Sequence, residues 1–430
     1  MTDDQKNGAL GIVVGGGPAP GINAVIAAAT IRTRLSGTRV VGIQNGFERL
    51  MAPDAHEANA FRELDIQDVS RIHFRGGSML GTARANPTKS EGMLDQVLTN
   101  LRAAGIDKLV TIGGDDTSFT CSRLAERSAG TLSVAHVPKT IDNDLDLPPS
   151  IDTFGYQTAR AVGVEVVQNL MVDAKTTNRW YLVIAMGRKA GHLALGIGKA
   201  AGATLTVVPE ECDATGMSLD RLADILTGSI IKRRSEGRGD GVAVVAEGVA
   251  LAFDPKELEA LENLERDEHG HIRLAEVDLG NLLKNAVHDR LRVLGIDCTL
   301  VSKNIGYELR CADPVPSDME YCRDLGYCAG KYLLEGGSGD LISMQGGRFI
   351  PIPLVDLLDP VTSRMQVRMI DVSSTRYAIS RSYMIRLRQS DFSDPESLAR
   401  LASTSGLSSD AFRKRFEYLV EGELPPLLLR

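Results

Sequence analysis

The chain has 430 residues, of which 43% are hydrophobic and 24% charged, and it carries a net charge of -8 at pH 7. That length suits two or three domains with large cores, and the acidic balance excludes the basic surface a nucleic-acid binder needs. No stretch approaches the roughly 18 consecutive apolar residues of a membrane span, so none is expected. The start, MTDDQKNGAL, is acidic and lacks the apolar core of a secretory signal. Cys121, Cys212, Cys298, Cys311, Cys322 and Cys328 form no CxxC pair and no metal-finger spacing, which predicts reduced thiols in a cytoplasmic protein.

In chain order, Gly11-Ile12-Val13-Val14 predicts a buried strand running into the loop Gly15-Gly16-Gly17-Pro18-Ala19-Pro20-Gly21. A helix packed through small residues is expected over Ile22 to Ala29, and Val40 to Ile43 predicts a second strand. Gly76 to Arg84 reads as a flexible loop ending in a guanidinium, either a phosphate clamp or a surface arginine. A helix from about Ser90 to Ala104 leads to a strand at Leu109 to Ile112, which ends in Gly113-Gly114-Asp115-Asp116-Thr117. Another short apolar run, Leu132 to Ala135, precedes Pro138-Lys139-Thr140-Ile141-Asp142-Asn143-Asp144. Further strands are expected over Tyr181 to Met186, Thr204 to Val208, Gly241 to Ala246 and Cys298 to Val301. Short strands alternating with helices imply parallel sheets covered on both faces, which bind ligands outside the carboxyl ends of their strands. Two stretches read as additions: a charged segment from Pro255 to Gly280, and two helices between Ser393 and Gly422 starting at Asp394-Pro395-Glu396 and Ser408-Ser409-Asp410.

The glycine loop at 15 to 21 is not a Walker A motif, and Pro20 takes the third glycine's place in GxGxxG. It is either a backbone anion site at a helix start or a tight turn. The two acidic loops are more informative. Asp115, Asp116, Asp142 and Asp144, with Lys139 and Thr140, sit at the ends of two neighbouring strands. Carboxylates hold magnesium, a cation offsets phosphate charge, and one further carboxylate can take a proton from an attacking hydroxyl. That inventory points to phosphoryl transfer. Met186-Gly187-Arg188, Arg179 and Glu247 follow or precede strands and add cations and a sugar-binding carboxylate, though each has an equally good structural reading.

GGGPAPGIN (15–23), GGSMLGTAR (76–84), IGGDDT (112–117), PKTIDND (138–144), MGR (186–188) and EG (247–248) together resemble the phosphofructokinases in order and approximate spacing. The resemblance spans the chain to about residue 330. It implies two doubly wound, Rossmann-like α/β domains with the active site in the cleft between them, and transfer of a phosphoryl group to the 1-hydroxyl of fructose 6-phosphate with magnesium. By this resemblance Asp142 is the catalytic base, Thr140 binds substrate beside the transferred group, and Asp115 and Asp144 are linked to the metal. Gly16, Gly17 and Arg84 line the donor. Met186, Gly187, Arg188 and Glu247 contact the sugar phosphate, with Arg188 also catalytic. Arg179 looks like an arginine that reaches into a second subunit, which implies a homodimer or homotetramer. The stretch Gly306 to Asp313 departs from the GHxQRGG of ATP-using members. Its Tyr307-x-x-Arg310 spacing resembles pyrophosphate-dependent members, where both residues bind the sugar phosphate. Lys303 reads as a contact of the 6-phosphate or as a surface lysine.

The donor turns on two positions. ATP-using members have glycine where this chain has Asp116 and Lys139, so the resemblance is to the pyrophosphate-dependent branch. Physically, the Asp116 carboxylate crowds and repels the α-phosphate of a nucleotide, and Lys139 suits a shorter, more highly charged donor. An ATP-dependent enzyme and a non-catalytic regulatory subunit are the rival readings, and sedoheptulose 7-phosphate is a second candidate acceptor. The expected domains are 1–155 with about 310–345 for the donor, 156–309 for the sugar phosphate, and a helical C-terminal extension over 346–430 packing on the second. Nucleic acid and membrane are not expected partners.

Overall fold

The computed structural model describes residues 8–148, 151–211, 216–253, 278–359, 365–423 and 425–429. Most of the charged segment expected over 255–280 lies outside the described residues, as does Cys212. By its internal contacts the chain forms two compact units, Met1–Ala159 with Tyr307–Arg368, and Arg160–Gly306 with Met369–Arg430.

The first unit is built on an eight-stranded sheet. Its strands run in the order Ile352–Pro353, Asp340–Leu341, Ser133–Thr140, Ile106–Gly113, Ala9–Val14, Val40–Ile43 and Phe61–Leu64, and Phe154–Gly155 also pairs with Ser133–Thr140. The central pairings are parallel, and only the two outermost strands run antiparallel. Alternation along Ala9–Val14 sends Leu10, Ile12 and Val14 into one core and Ala9 and Val13 into the other, so both faces are covered. On the first face lie helices Ile22–Arg34 and Pro316–Leu334. They pack closely because small residues meet: a Cβ added at Gly326 would stand 2.4 Å from the Val25 carbonyl oxygen. Asp318, buried near the start of the second helix, accepts from Thr158 N–H at 2.7 Å and from its hydroxyl at 2.6 Å. Burial pushes its carboxyl above the ordinary value.

The second unit carries a four-stranded, all-parallel sheet in the order Leu300–Ile305, Trp180–Ala185, Gly241–Ala246 and Leu205–Val207. Trp180–Ala185 and Gly241–Ala246 are buried along their whole length, as expected of strands covered on both faces. The helices expected near the C-terminus are Pro395–Thr404, capped by Asp394, and Ser409–Phe416, capped by Ser408. Residues 346–430, expected as one extension, divide between the units. Ile352–Pro353 adds to the first sheet, whereas Ile385 N–H donates to Thr204 O in the second unit at 2.8 Å.

Three local expectations change. The strand expected to stop at Ala135 continues through Pro138-Lys139 to Thr140, because Lys139 and Thr140 pair with Phe154 and Gly155. Asp115 and Asp116 lie in the first turn of helix Asp115–Arg127 rather than in a loop, where carboxylates complement the helix dipole. The strand expected over Cys298 to Val301 runs Leu300–Ile305, which puts Lys303 in mid-strand.

Among the described residues five cysteines are free thiols, and burial raises Cys121 to about 12. No helix among the described residues is long and apolar enough to cross a membrane. Gly326→Ala should separate the two helices and lower the thermal midpoint by about 3–10 °C, as expected for a 1–3 kcal/mol overpacking penalty. An unchanged midpoint in calorimetry would show that the helices do not approach as closely as 2.4 Å requires.

Candidate active site

The site in the first unit forms at the carboxyl ends of Ala9–Val14, Ile106–Gly113 and Ser133–Thr140. Gly15 N–H donates to Ile112 O and Gly16 N–H to Ala83 O, both at 2.9 Å, which ties the first glycine loop to the loop that ends in Arg84. The Thr82 hydroxyl donates to Gly16 O. Gly16 has φ +78°, a left-handed conformation that favours glycine. Cβ atoms built on Gly15 and on Gly113 would each lie 2.3 Å from Thr117 Oγ1, so one side chain fills the space beside both glycines. Asn23 orders the second loop, donating to Arg75 O and Gly76 O at 3.1 Å and accepting from Met79 N–H at 2.8 Å. Asp313 Oδ1 accepts from Gly76 N–H at 2.8 Å.

Lys139 is buried, and its ammonium donates to Gly17 O. Burial and the Arg310 cation draw its pKa down to about 8, Asp142 and Asp115 oppose that, and Arg84 adds to it. Four other expected residues therefore act electrostatically on Lys139. The Arg310 guanidinium is 3.5 Å from where a Gly17 side chain would begin, and it lies over the Tyr307 ring at 5.1 Å. Arg310, expected at the sugar phosphate, thus stands beside Gly17, a glycine expected at the donor.

Asp142 is buried, and its N–H donates to Thr140 Oγ1 at 3.0 Å. The next residue, Asn143, has φ +57°. Its amide donates to Asp152 Oδ1 at 2.8 Å, and its Oδ1 accepts from Thr153 N–H at 3.0 Å. Arg368 reaches the same turn from 225 residues away in sequence. Neither Asn143 nor Arg368 was picked out from sequence. The left-handed preference of Asn was a local signal for the first. Nothing local marks the second.

In the second unit, Met186, Gly187 and Arg188 follow the strand Trp180–Ala185, and Arg188 has φ +41°. Glu247 shapes this turn from inside: its Oε1 accepts from Gly187 N–H at 3.1 Å and from Arg188 N–H at 3.0 Å. At least one oxygen of the expected sugar-binding carboxylate is therefore engaged by backbone. Met186 packs over Gly306, with Cε 2.6 Å from an added Cβ. Lys303 is exposed on its strand. Arg179 precedes Trp180–Ala185, at the opposite end of the strand from Met186, so seven steps at about 3.3 Å each put it about 23 Å away. Within one chain it is not brought to the Met186–Arg188 turn.

Residues 9–333 match the family model described as Phosphofructokinase. The chain belongs to the phosphofructokinase family. It is 49% identical to the pyrophosphate–fructose 6-phosphate 1-phosphotransferase of Thermotoga maritima, over 96% of this chain and 99% of that protein. It is 47% identical to the protein of the same name from Naegleria fowleri, over 96% of each. The crystal structure of pyrophosphate-dependent phosphofructokinase from Nitrosospira multiformis superposes with a TM-score of 0.66 at 17% identity, covering 99% of this chain and 94% of that one, a likeness of fold.

The Lys139 shift, from 10.5 to about 8, corresponds to a cost on the order of 3 kcal/mol for holding the charged form. Below pH 8 the folded protein bears that cost in full. Between pH 8 and 10.5 the folded state has released the proton while the unfolded chain still binds it, so stability rises with pH. Replacing Lys139 by Met removes this dependence. The gain in thermal midpoint of the variant over the parent should be larger at pH 7 than at pH 10; an equal gain at both would show that the lysine titrates normally.

Proposed function

We infer that the chain transfers a phosphoryl group from pyrophosphate to the 1-hydroxyl of fructose 6-phosphate, giving fructose 1,6-bisphosphate and phosphate. The donor reading is carried by Lys139. It occupies a position where ATP-using sequences have glycine and bonds to Gly17 of the loop assigned to the donor. Asp116, half-buried in the first turn of its helix, crowds the space in which a nucleotide would continue. Relatives at 49% and 47% identity over nearly the whole chain carry the pyrophosphate-dependent name, which supports the same choice.

In this reading Asp142 accepts the proton of the 1-hydroxyl as its oxygen attacks the terminal phosphorus. A new P–O bond forms to the sugar, the bond to the bridging oxygen breaks, and phosphate leaves with that electron pair. The Thr140 hydroxyl, bonded to Asp142 N–H, holds the base at the strand end. Lys139, Arg84 and Arg310 offset charge on the donor and on the group in transit. Arg310 also has a natural claim on the sugar phosphate, shared with Tyr307 and Lys303. Met186, Gly187 and Arg188 bind the sugar phosphate, and Glu247 fixes the turn that presents them. The donor, metal and base residues belong to the first unit, and the turn at 186–188 to the second.

The hard oxygens of Asp115 and Asp144 suit magnesium, which keeps several waters and shares phosphate oxygens rather than needing an all-protein cage. Among the described residues no three His, Cys, Asp or Glu converge into such a cage. Asp115 and Asp144 would hold the ion, and when bound it neutralises part of the donor's charge. Arg179, remote from the turn of its own chain, is assigned to the site of a second copy in a homodimer or homotetramer. The free thiols are consistent with a cytoplasmic protein.

With magnesium and fructose 6-phosphate, pyrophosphate should support turnover and ATP at equal concentration should not. Turnover with ATP alone would discard the donor assignment and keep the fold. Asp142→Ser should lower kcat by roughly 10²–10⁴ with little change in substrate binding, and a near-normal rate would remove Asp142 from the role of base. Asp116→Gly combined with Lys139→Gly should raise the rate with ATP relative to pyrophosphate, measured as the ratio of the two kcat/KM values.

A further inference from the structure

Arg368 lies beyond the residues matched by the family model, in the segment that closes the first unit. Its side chain is half-buried and gathers the turn that carries the acids. Nε and one terminal nitrogen donate to Asn143 O at 3.2 and 3.1 Å, and the same terminal nitrogen reaches Asn143 Oδ1. The other donates to Ile151 O at 2.8 Å and to Leu147 O at 3.4 Å. Its backbone N–H donates to Asp144 O at 2.8 Å, continuing the antiparallel bridge of Val367 with Leu145. Asp144, Asp146 and Asp152 surround the cation.

This is an unusual investment in one turn. Asn143 sits between the two acids in a left-handed conformation that costs a non-glycine residue on the order of 1 kcal/mol. Such a conformation persists only where its surroundings over-determine it. Asp152, Thr153 and Arg368 do so from three sides. A planar fork that bonds carbonyls of residues 143, 147 and 151 fixes the path of the whole segment, which a lysine's single point charge cannot. Asp142 and Asp144 flank that fixed residue, so their directions follow from it.

We propose that Arg368 is a positioning residue that sets the angle of Asp142 towards the reacting hydroxyl by clamping Asn143. The proposal rests on the assignment of Asp142 as base. It acts through another residue, so its signature is a loss in kcat that depends on Asp142 being present.

The experiment is a double-mutant cycle in the full chain, with Arg368→Ala, Asp142→Ser and both together, assayed with pyrophosphate and fructose 6-phosphate well below the thermal midpoint of each variant. Arg368→Ala should lower kcat about 10- to 100-fold, the scale of a misplacement of about 1 Å, with both KM values within about threefold. In the Asp142→Ser background the same change should alter the residual rate by less than about twofold. Arg368→Lys should recover only part of the loss, and it replaces Arg368→Ala in the cycle if that variant does not fold. The proposal is overturned if Arg368→Ala keeps kcat within twofold, or if its loss is equally large without Asp142. A near-normal rate for Asp142→Ser alone would instead overturn the base assignment, and this proposal with it.

Discussion

An ammonium ion buried at the carboxyl end of a central strand is the constraint around which the first unit's site is arranged. Lys139 cannot lie inside a sheet-end crevice without partners, and it finds them in the Gly17 carbonyl and in the fields of Asp142 and Asp115. Those partners come from three separate strand ends, so satisfying one charge draws three segments together. Arg310 and Arg84 push the other way. The lysine's affinity for its proton falls despite two nearby carboxylates, which means that burial and cations outweigh the acids. A crevice with that balance of charge favours a compact anion. On the proposed placement of the donor, pyrophosphate would meet charge already arranged to receive it.

Much of this was legible in the chain. Short apolar runs located the strands Ala9–Val14, Val40–Ile43, Ile106–Gly113 and Gly241–Ala246, and the starts at Asp394 and Ser408 located two helices. What escaped depended on pairing. Pro138-Lys139-Thr140 looks like a loop because proline lacks a donor. It becomes strand because Gly113 pairs with Pro138 and because Phe154–Gly155, beyond the acidic turn, pairs with Lys139 and Thr140. The division of residues 346–430 likewise follows from which sheet each part meets. Arg368 was invisible for the same reason, since its bonds run to residues more than 200 positions away. Local pattern reports local physics, and these contacts are not local.

Carboxylates in the second unit show how a residue of the right type takes a scaffolding task. Glu247 reads as a sugar ligand, yet its Oε1 gathers the amides of Gly187 and Arg188. Glu210 does the same nearby, with Oε1 accepting from Gly191 N–H at 2.9 Å and Ile370 N–H at 3.0 Å. Burial raises its carboxyl above the ordinary value, and those amides counter the rise. Both ends of the stretch from 187 to 191 are thus held by acids from later in the chain. A tight turn with a left-handed Arg188 needs that support, because few of its own backbone groups can bond to each other.

Thr117, wedged against Gly15 and Gly113, has a consequence for how this protein can change over generations. Enlarging either glycine collides with Thr117, and a bulkier residue at 117 collides with both. The two glycines are therefore closed to larger residues for as long as Thr117 stands between them. Asp116, one position earlier, is half-buried and outside that contact. Selection can therefore alter Asp116, the residue proposed to discriminate between phosphoryl donors, by ordinary point mutation while the two glycines beneath it stay fixed. On the proposed role of Asp116, donor preference is a trait that can change on a scaffold whose glycines cannot.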